Sequence, residues 1–153
     1  MDKDFKILNP DWSRIWLRSY EVTDASMVDP DDDTRVIQGE WLEMAADLKL
    51  QRTTDEEVLH YPKLDLRGQY DVQAVRMVSV VQAGNFMVET PVYDSATLTT
   101  RGQPFMIDAI NFAPGAANPR GIPTLWAAWP DVLTGYVVKD QANGKIVLQT
   151  TIF

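Results

Sequence analysis

The sequence contains no cysteine and one histidine, His60. Without cysteine the chain can form no disulfide, thiolate nucleophile, cysteine-ligated zinc site or iron–sulfur cluster. A single histidine cannot supply the paired imidazoles of an HExxH helix or of a two-histidine iron site. These absences exclude the common metalloenzyme and thiol-enzyme classes. The sequence therefore predicts no metal, no cofactor and no enzymatic activity.

Basic stripes and long apolar runs are also missing. Residues 1–71 hold 17 acidic and 9 basic residues, whereas residues 72–153 hold 5 of each, so the net charge of −8 lies in the first half. A nucleic-acid interface needs clustered Lys and Arg to neutralise phosphates. A membrane-spanning helix needs about 18 or more consecutive apolar residues. We therefore expect neither nucleic acid nor a membrane as a partner.

Two acidic runs are candidate sites. Asp29–Asp33 lacks the spacing of an EF-hand, so we interpret it as a solvated loop, with a cation site as the alternative. Asp55–Glu57, followed by His60, could be read as a catalytic group, but a polar run predicts hydration rather than a dry cleft. We interpret this segment as a surface loop.

The remaining pattern predicts a mainly β protein, a small antiparallel β-sandwich or barrel with an extended N-terminal arm. We divide the chain into an arm, residues 1–35, and a β-rich domain, residues 36–153. Two strands are expected within 36–52 and another over 71–83, ending at a Gly84-Asn85 turn. The Pro- and Gly-rich residues 112–124 predict a long loop. Asn143-Gly144 predicts a closing hairpin between 135–139 and 145–153.

Four tryptophans are the candidate partner-binding residues. Trp12 and Trp16 lie in the arm, where Asp11 could cap a short helical turn. The arm either packs on its own domain or inserts these rings into a neighbouring subunit. Trp126 and Trp129 form either a lid on the core or a partner surface, and flat rings of this kind could also stack on sugars.

The order of strands and glycines resembles the small β-rich decoration, or cement, proteins of tailed-bacteriophage capsids. The segments that carry the resemblance are Ile37–Leu42, Gln82–Gly84, Pro91–Asp94, Leu98–Pro104, Leu133–Val138 and Gly144–Leu148. The resemblance implies a structural virion protein that binds the outside of the capsid and bridges its subunits. It implies the major capsid protein as partner, a homotrimer, and assembly in the host cytoplasm.

Other functional classes stay open beside this one. A tail or baseplate β-module would have a similar pattern of strands. A carbohydrate- or peptide-binding β-domain would use Trp126 and Trp129. An enzyme would have to work with carboxylates alone, as some glycosidases do.

Overall fold

The computed structural model describes residues 5–64, 77–112 and 115–152. Strands account for 52% of these residues and helices for 5%, which confirms the prediction of a mainly β fold. Two 3-10 helices cover Trp12–Arg14 and Ala25–Met27. The ten strands of the described residues are β1 (Lys6–Leu8), β2 (Ile15–Glu21), β3 (Trp41–Met44), β4 (Leu50–Arg52), β5 (His60–Pro62), β6 (Met77–Thr90), β7 (Pro104–Phe112), β8 (Gly115–Leu125), β9 (Gly135–Ala142) and β10 (Lys145–Ile152).

Seven of these strands form one antiparallel sheet, in the order β1, β6, β10, β9, β7, β8, with β2 also paired to β6. Gly84 of β6 pairs with Ile15 of β2 on one side and with Ile152 of β10 on the other. Because β1 and β10 also flank β6 on opposite sides, β1 and β2 lie along the same edge. A second sheet has the order β4, β3, β5. This arrangement is a small β-sandwich, and the alternative of a closed barrel is wrong.

The main core lies between the two sheets. Trp41 of β3 meets Phe105 of β7 edge to face, with ring centroids 6.4 Å apart. Both side chains are fully buried, as are Val88 and Leu148 from the middle of the large sheet. Alternate residues of each strand supply this core because successive side chains point to opposite faces. The Trp41–Phe105 contact therefore joins the small sheet to the large one.

The hairpin at the C-terminal end follows the prediction. Asn143 and Gly144 connect β9 to β10, with φ angles of 55° and 75°. A two-residue turn with both central residues at positive φ is the type that matches the twist of paired strands, and Asn-Gly is its preferred sequence. The two strands predicted within residues 36–52 are also confirmed, as β3 and β4.

The predicted turn at Gly84-Asn85 is wrong, because β6 continues through both residues to Thr90. Gly84 has a φ of +138°, and a Cβ there would lie 2.7 Å from the carbonyl oxygen of Arg14 and 3.2 Å from Ile15 Cα. The glycine thus allows the arm to approach β6 closely at the start of β2. Residues 71–76 of the strand expected before this point lie outside the described residues.

The predicted long loop over residues 112–124 is also wrong. Residues 115–125 form β8, which pairs with β7 through Pro123 and Pro119 among others, while residues 113 and 114 lie outside the described residues. Proline has no N–H to donate and is tolerated in strands at sheet edges. β8 is an edge strand of the large sheet, so its prolines are compatible with pairing.

The described part of the N-terminal arm packs on its own domain. β1 and β2 pair with β6, and the Phe5 and Ile15 side chains belong to the main core. Residues 1–4 lie outside the described residues. Asp11 caps the 3-10 helix by accepting from the Ser13 N–H at 3.2 Å, in line with the short helical turn expected there.

Candidate functional site

Trp126 and Trp129 are brought together in the connection that follows β8. Their ring centroids lie 5.7 Å apart at an interplanar angle of 77°, an edge-to-face arrangement. Trp126 is half-buried and its Nε1 donates to the carbonyl oxygen of Asp131 at 3.0 Å, whereas Trp129 is 72% exposed. Trp126 therefore acts as a fixed support for a ring that faces solvent.

Tyr136 lies near this pair in the register of the large sheet. It pairs with Pro104 of β7, whose carbonyl oxygen accepts a hydrogen bond from the Trp126 N–H at 3.0 Å. Two strand spacings, roughly 10 Å, separate the two aromatic positions. Tyr136 is 49% exposed. We refer to Trp126, Trp129 and Tyr136 as the tryptophan surface.

Trp12 and Trp16 lie at the opposite edge of the same sheet. Trp12 is 47% exposed in its 3-10 helix, and Trp16 is 67% exposed on β2. The strands β6, β10, β9 and β7 stand between β2 and β8. Five strand spacings place the two tryptophan pairs roughly 24 Å apart. The structure thus brings Trp126 and Trp129 into contact near one edge of the sheet, whereas Trp12 and Trp16 lie at the other edge on neighbouring elements.

A buried ionic cluster connects β8 to the small sheet and to the acidic loop. Arg120 Nη1 lies 2.6 Å from Glu40 Oε1, and Arg52 Nη1 lies 3.1 Å from Glu40 Oε2. Arg120 also donates to the carbonyl oxygens of Arg35 at 2.7 Å and Asp33 at 3.0 Å. Burial raises the pKa of the Glu40 carboxyl, and the two guanidinium groups oppose that rise. These contacts have a structural role, since they tie three segments together away from solvent.

The end of the Asp29–Asp33 run is held by these hydrogen bonds from Arg120, while its own carboxylates cap local turns. Asp29 accepts from the Asp31 N–H at 3.0 Å, and Asp32 accepts from the Thr34 N–H at 2.8 Å. Among the described residues, no group of three or more acidic or histidine side chains could hold a metal ion.

A second buried carboxylate, Glu43 of β3, faces His60 of β5. Glu43 Oε2 lies 3.3 Å from His60 Nε2, a close approach whose geometry is not that of a hydrogen bond, and both side chains are 2% exposed. Burial lowers the pKa of His60, and the Glu43 and Asp55 carboxylates oppose this shift. The expectation of a surface loop is therefore wrong for His60, although Asp55 and Glu57 are exposed.

Glu43 also accepts hydrogen bonds from the connection between β4 and β5. Its Oε1 accepts from the Thr54 N–H at 3.1 Å and from the Thr54 hydroxyl, and its Oε2 accepts from the Asp55 N–H at 3.2 Å. Gln51 Nε2 donates to the same Oε1 at 2.9 Å. One carboxylate thus fixes the start of this connection.

Sequence reasoning missed Tyr136, Glu40 and Glu43 as notable residues. For Tyr136 a signal existed. It stands next to the apolar Val137, which is buried, and successive side chains of β9 point to opposite faces, so the neighbours of Val137 face solvent. For the two glutamates no local signal existed, because charged residues are seldom fully buried and their partners lie far along the chain.

Comparison of the chain with protein-family models, with curated proteins and with solved structures finds no match. In the part of the chain that the structure describes, no helix has the length and apolar character needed to span a bilayer.

Proposed function

We propose that this chain is a capsid decoration protein that binds the outer surface of a phage shell and stabilises it by bridging capsid subunits. The observation that carries the proposal is the placement of exposed tryptophans at opposite edges of one continuous sheet, Trp12 and Trp16 at one edge and Trp129 at the other. A bridging protein needs two contact regions held at a fixed separation. Tryptophan and tyrosine are the side chains most often found at the energetic centre of protein interfaces.

The charge distribution supports contact through the tryptophan surface. That surface lies in residues 72–153, which carry equal numbers of acidic and basic residues, while the net charge of −8 resides in residues 1–71. Charged residues are depleted at interface cores, so aromatic rings in the half of the sequence without net charge suit a contact surface. The acidic half suits a position on the outside of the shell, away from the packaged DNA.

The size of the molecule is compatible with more than one interface. Its accessible surface is 8164 Å². A standard interface takes about 800 Å² from each partner, roughly a tenth of that surface. Two such contacts therefore leave most of the surface in solvent, and many copies on one shell add avidity to contacts that are individually modest.

The proposal is tested by mixing the purified chain with expanded, DNA-free shells of the phage whose genome encodes it. We expect saturable binding in a fixed ratio to the major capsid protein and an increase in the temperature at which the shells dissociate. Trp129→Ser should weaken binding by about tenfold or more, as is typical of an aromatic hot spot. Leu48→Ser is the matched control, because Leu48 is also 72% exposed but lies on the turn between β3 and β4.

Bridging is tested separately by removing the ring at the other edge. Trp16→Ser should leave some binding through the tryptophan surface while reducing the gain in shell stability. If the wild-type chain does not bind shells, the proposed function is wrong. If Trp129→Ser and Leu48→Ser bind equally well, the assignment of the contact surface is wrong.

The resemblance also leads us to propose a homotrimer. Sedimentation equilibrium of the free chain should give three times the monomer mass of 17.3 kDa. A monomer that stays monomeric on the shell would contradict this part of the proposal.

A carbohydrate-binding domain is the second candidate, and the exposed ring of Trp129 favours it. A flat ring that is 72% exposed and supported by a second tryptophan could stack on a pyranose. Titration of neutral oligosaccharides should then change tryptophan fluorescence in a saturable way, and Trp129→Ser should abolish the change. Shell binding without any response to oligosaccharides would exclude this candidate.

A further inference from the structure

The connection between β4 and β5 touches the connection that carries the tryptophan pair. The carbonyl oxygen of Glu56 accepts a hydrogen bond from the Val132 N–H at 3.0 Å. Val132 directly follows Asp131, whose carbonyl oxygen accepts from Trp126 Nε1 at 3.0 Å. The tryptophan pair is thus linked to Glu56, in the connection between β4 and β5, by two hydrogen bonds that meet at consecutive residues, Asp131 and Val132.

The residues that precede Glu56 are held by a buried side chain. The two residues before it, Thr54 and Asp55, donate their N–H groups to the buried carboxylate of Glu43, and the Thr54 hydroxyl donates to it as well. Hydrogen bonds to a buried carboxylate are stronger than neutral ones because the acceptor is charged and shielded from water. The Glu56 carbonyl belongs to the same planar peptide group as the Glu57 N–H, which donates to Asp55 Oδ1 at 2.9 Å. Because Glu43 holds Thr54 and the Asp55 N–H, it fixes the start of the turn that orients this carbonyl.

We propose that Glu43 is a positioning residue for the tryptophan surface, acting through Thr54, Asp55 and the Glu56–Val132 hydrogen bond. A side chain that is 2% exposed would in this way determine the orientation of rings that face the partner. The inference deepens the proposed function, since it rests on the tryptophan surface being the contact surface. The positioning of the tryptophan rings can be measured on the free protein, without any shell.

The test uses Thr54→Val in the full chain labelled with 5-fluorotryptophan. This change removes one hydroxyl donor to Glu43 and keeps the shape of the side chain, which is exposed, so the protein should fold. We expect the fluorine signals of Trp126 and Trp129 to shift, and the signal of Trp41 to stay in place. Trp41 is the internal control for a general distortion of β3, because it lies two residues from Glu43.

Two further variants separate positioning from a merely structural effect. Thr54→Ser keeps the hydroxyl and should restore the wild-type fluorine spectrum. Thr34→Val removes a hydroxyl–carboxylate hydrogen bond of the same kind, from Thr34 Oγ1 to Asp32 Oδ1 at 2.6 Å, in the acidic loop. That variant should leave the Trp126 and Trp129 signals unchanged.

Amide hydrogen exchange gives a second readout, at the hydrogen bond between Val132 and Glu56. The Val132 amide should exchange faster in Thr54→Val than in the wild type or in Thr54→Ser, because its acceptor is no longer held in place. Unchanged Trp126 and Trp129 signals, or a shift of Trp41 that Thr54→Ser does not reverse, would overturn the inference. If the wild type fails to bind shells but these signals behave as expected, only the proposed function is wrong.

Discussion

Replacing Arg120 by methionine should destabilise the fold strongly. The Arg120 side chain is 2% exposed and its Nη1 lies 2.6 Å from Glu40 Oε1, so the substitution removes one of the two guanidinium groups that face a fully buried carboxylate. Arg52 remains at 3.1 Å. The carbonyl oxygens of Asp33 and Arg35 also lose their donor. Methionine keeps much of the length of the side chain, so the loss is mainly electrostatic rather than a loss of packing.

The magnitude follows from the cost of leaving a buried charge without one of its partners. Removing one member of a buried ion pair typically costs about 3–5 kcal/mol. With a urea m-value of about 2 kcal/mol per molar, the unfolding midpoint should fall by about 2 M. Urea titration followed by tryptophan fluorescence measures this shift. Arg14→Met is the matched control, because Arg14 is 82% exposed and its contact with Asp11 at 3.5 Å is a surface ion pair worth less than about 1 kcal/mol.

The double variant Glu40→Gln/Arg120→Met tests the reasoning. It should cost less than Arg120→Met alone, since no carboxylate is then left in the interior with only one of its two guanidinium partners. Arg52 is partly exposed and lies near the Asp24 and Asp32 carboxylates, so it can keep its charge. A cost below about 1 kcal/mol for Arg120→Met would refute the argument. So would a double variant whose cost equals the sum of the two single variants.

Three further predictions concern single positions. Gly121→Ala should cost about 2 kcal/mol or more in urea titration, because a Cβ there would overlap the Thr53 hydroxyl oxygen, and a variant of wild-type stability would contradict the packing. Leu48→Asn should raise the free energy of unfolding by about 0.5–1 kcal/mol, since Leu48 has a φ of 64° and is 72% exposed; a loss of stability would contradict this. Burial lowers the pKa of His60 in the folded state below its usual value of 6.5, so the unfolded chain binds this proton at a higher pH than the folded chain does. The free energy of unfolding should therefore decrease as the pH falls from 6.5 through the folded-state pKa. His60→Gln should flatten that part of the pH profile, and an unchanged slope would show that His60 is not its source.

Local chemistry was sufficient to predict the elements whose conformation is fixed by adjacent residues. Asn143-Gly144 needs nothing beyond its own two residues to specify a hairpin turn. The Asp11 cap is equally local, since it acts on the N–H of Ser13 two residues later. The abundance of β-branched residues and the alternating pattern were enough for the mainly β class.

Two of the errors arose where a tertiary neighbour changes the meaning of a turn residue. Gly84 is a glycine because the backbone of Arg14 comes within 2.7 Å of where its Cβ would lie, a contact between segments about 70 residues apart. Pro119 and Pro123 are compatible with β8 because that strand lies at the edge of its sheet. Strand order decides both cases, and the pattern of a single sequence is not sufficient to predict strand order.

The candidate site shows the same division between local and tertiary information. The tryptophans could be found by residue type alone, because exposed aromatic rings are rare and favourable in interfaces. The proposed support, Glu43, could not be found in this way, since sequence patterns would place a glutamate at the surface, and the same holds for Glu40. Glu40 holds the acidic loop through Arg120, and Glu43 holds the connection that touches the tryptophan pair. Each buried carboxylate has several donors converging on it, so one short segment, Glu40–Glu43, fixes two loops. A substitution in this segment should therefore disturb surface loops as well as the core, and the loop disturbed should depend on which glutamate is changed.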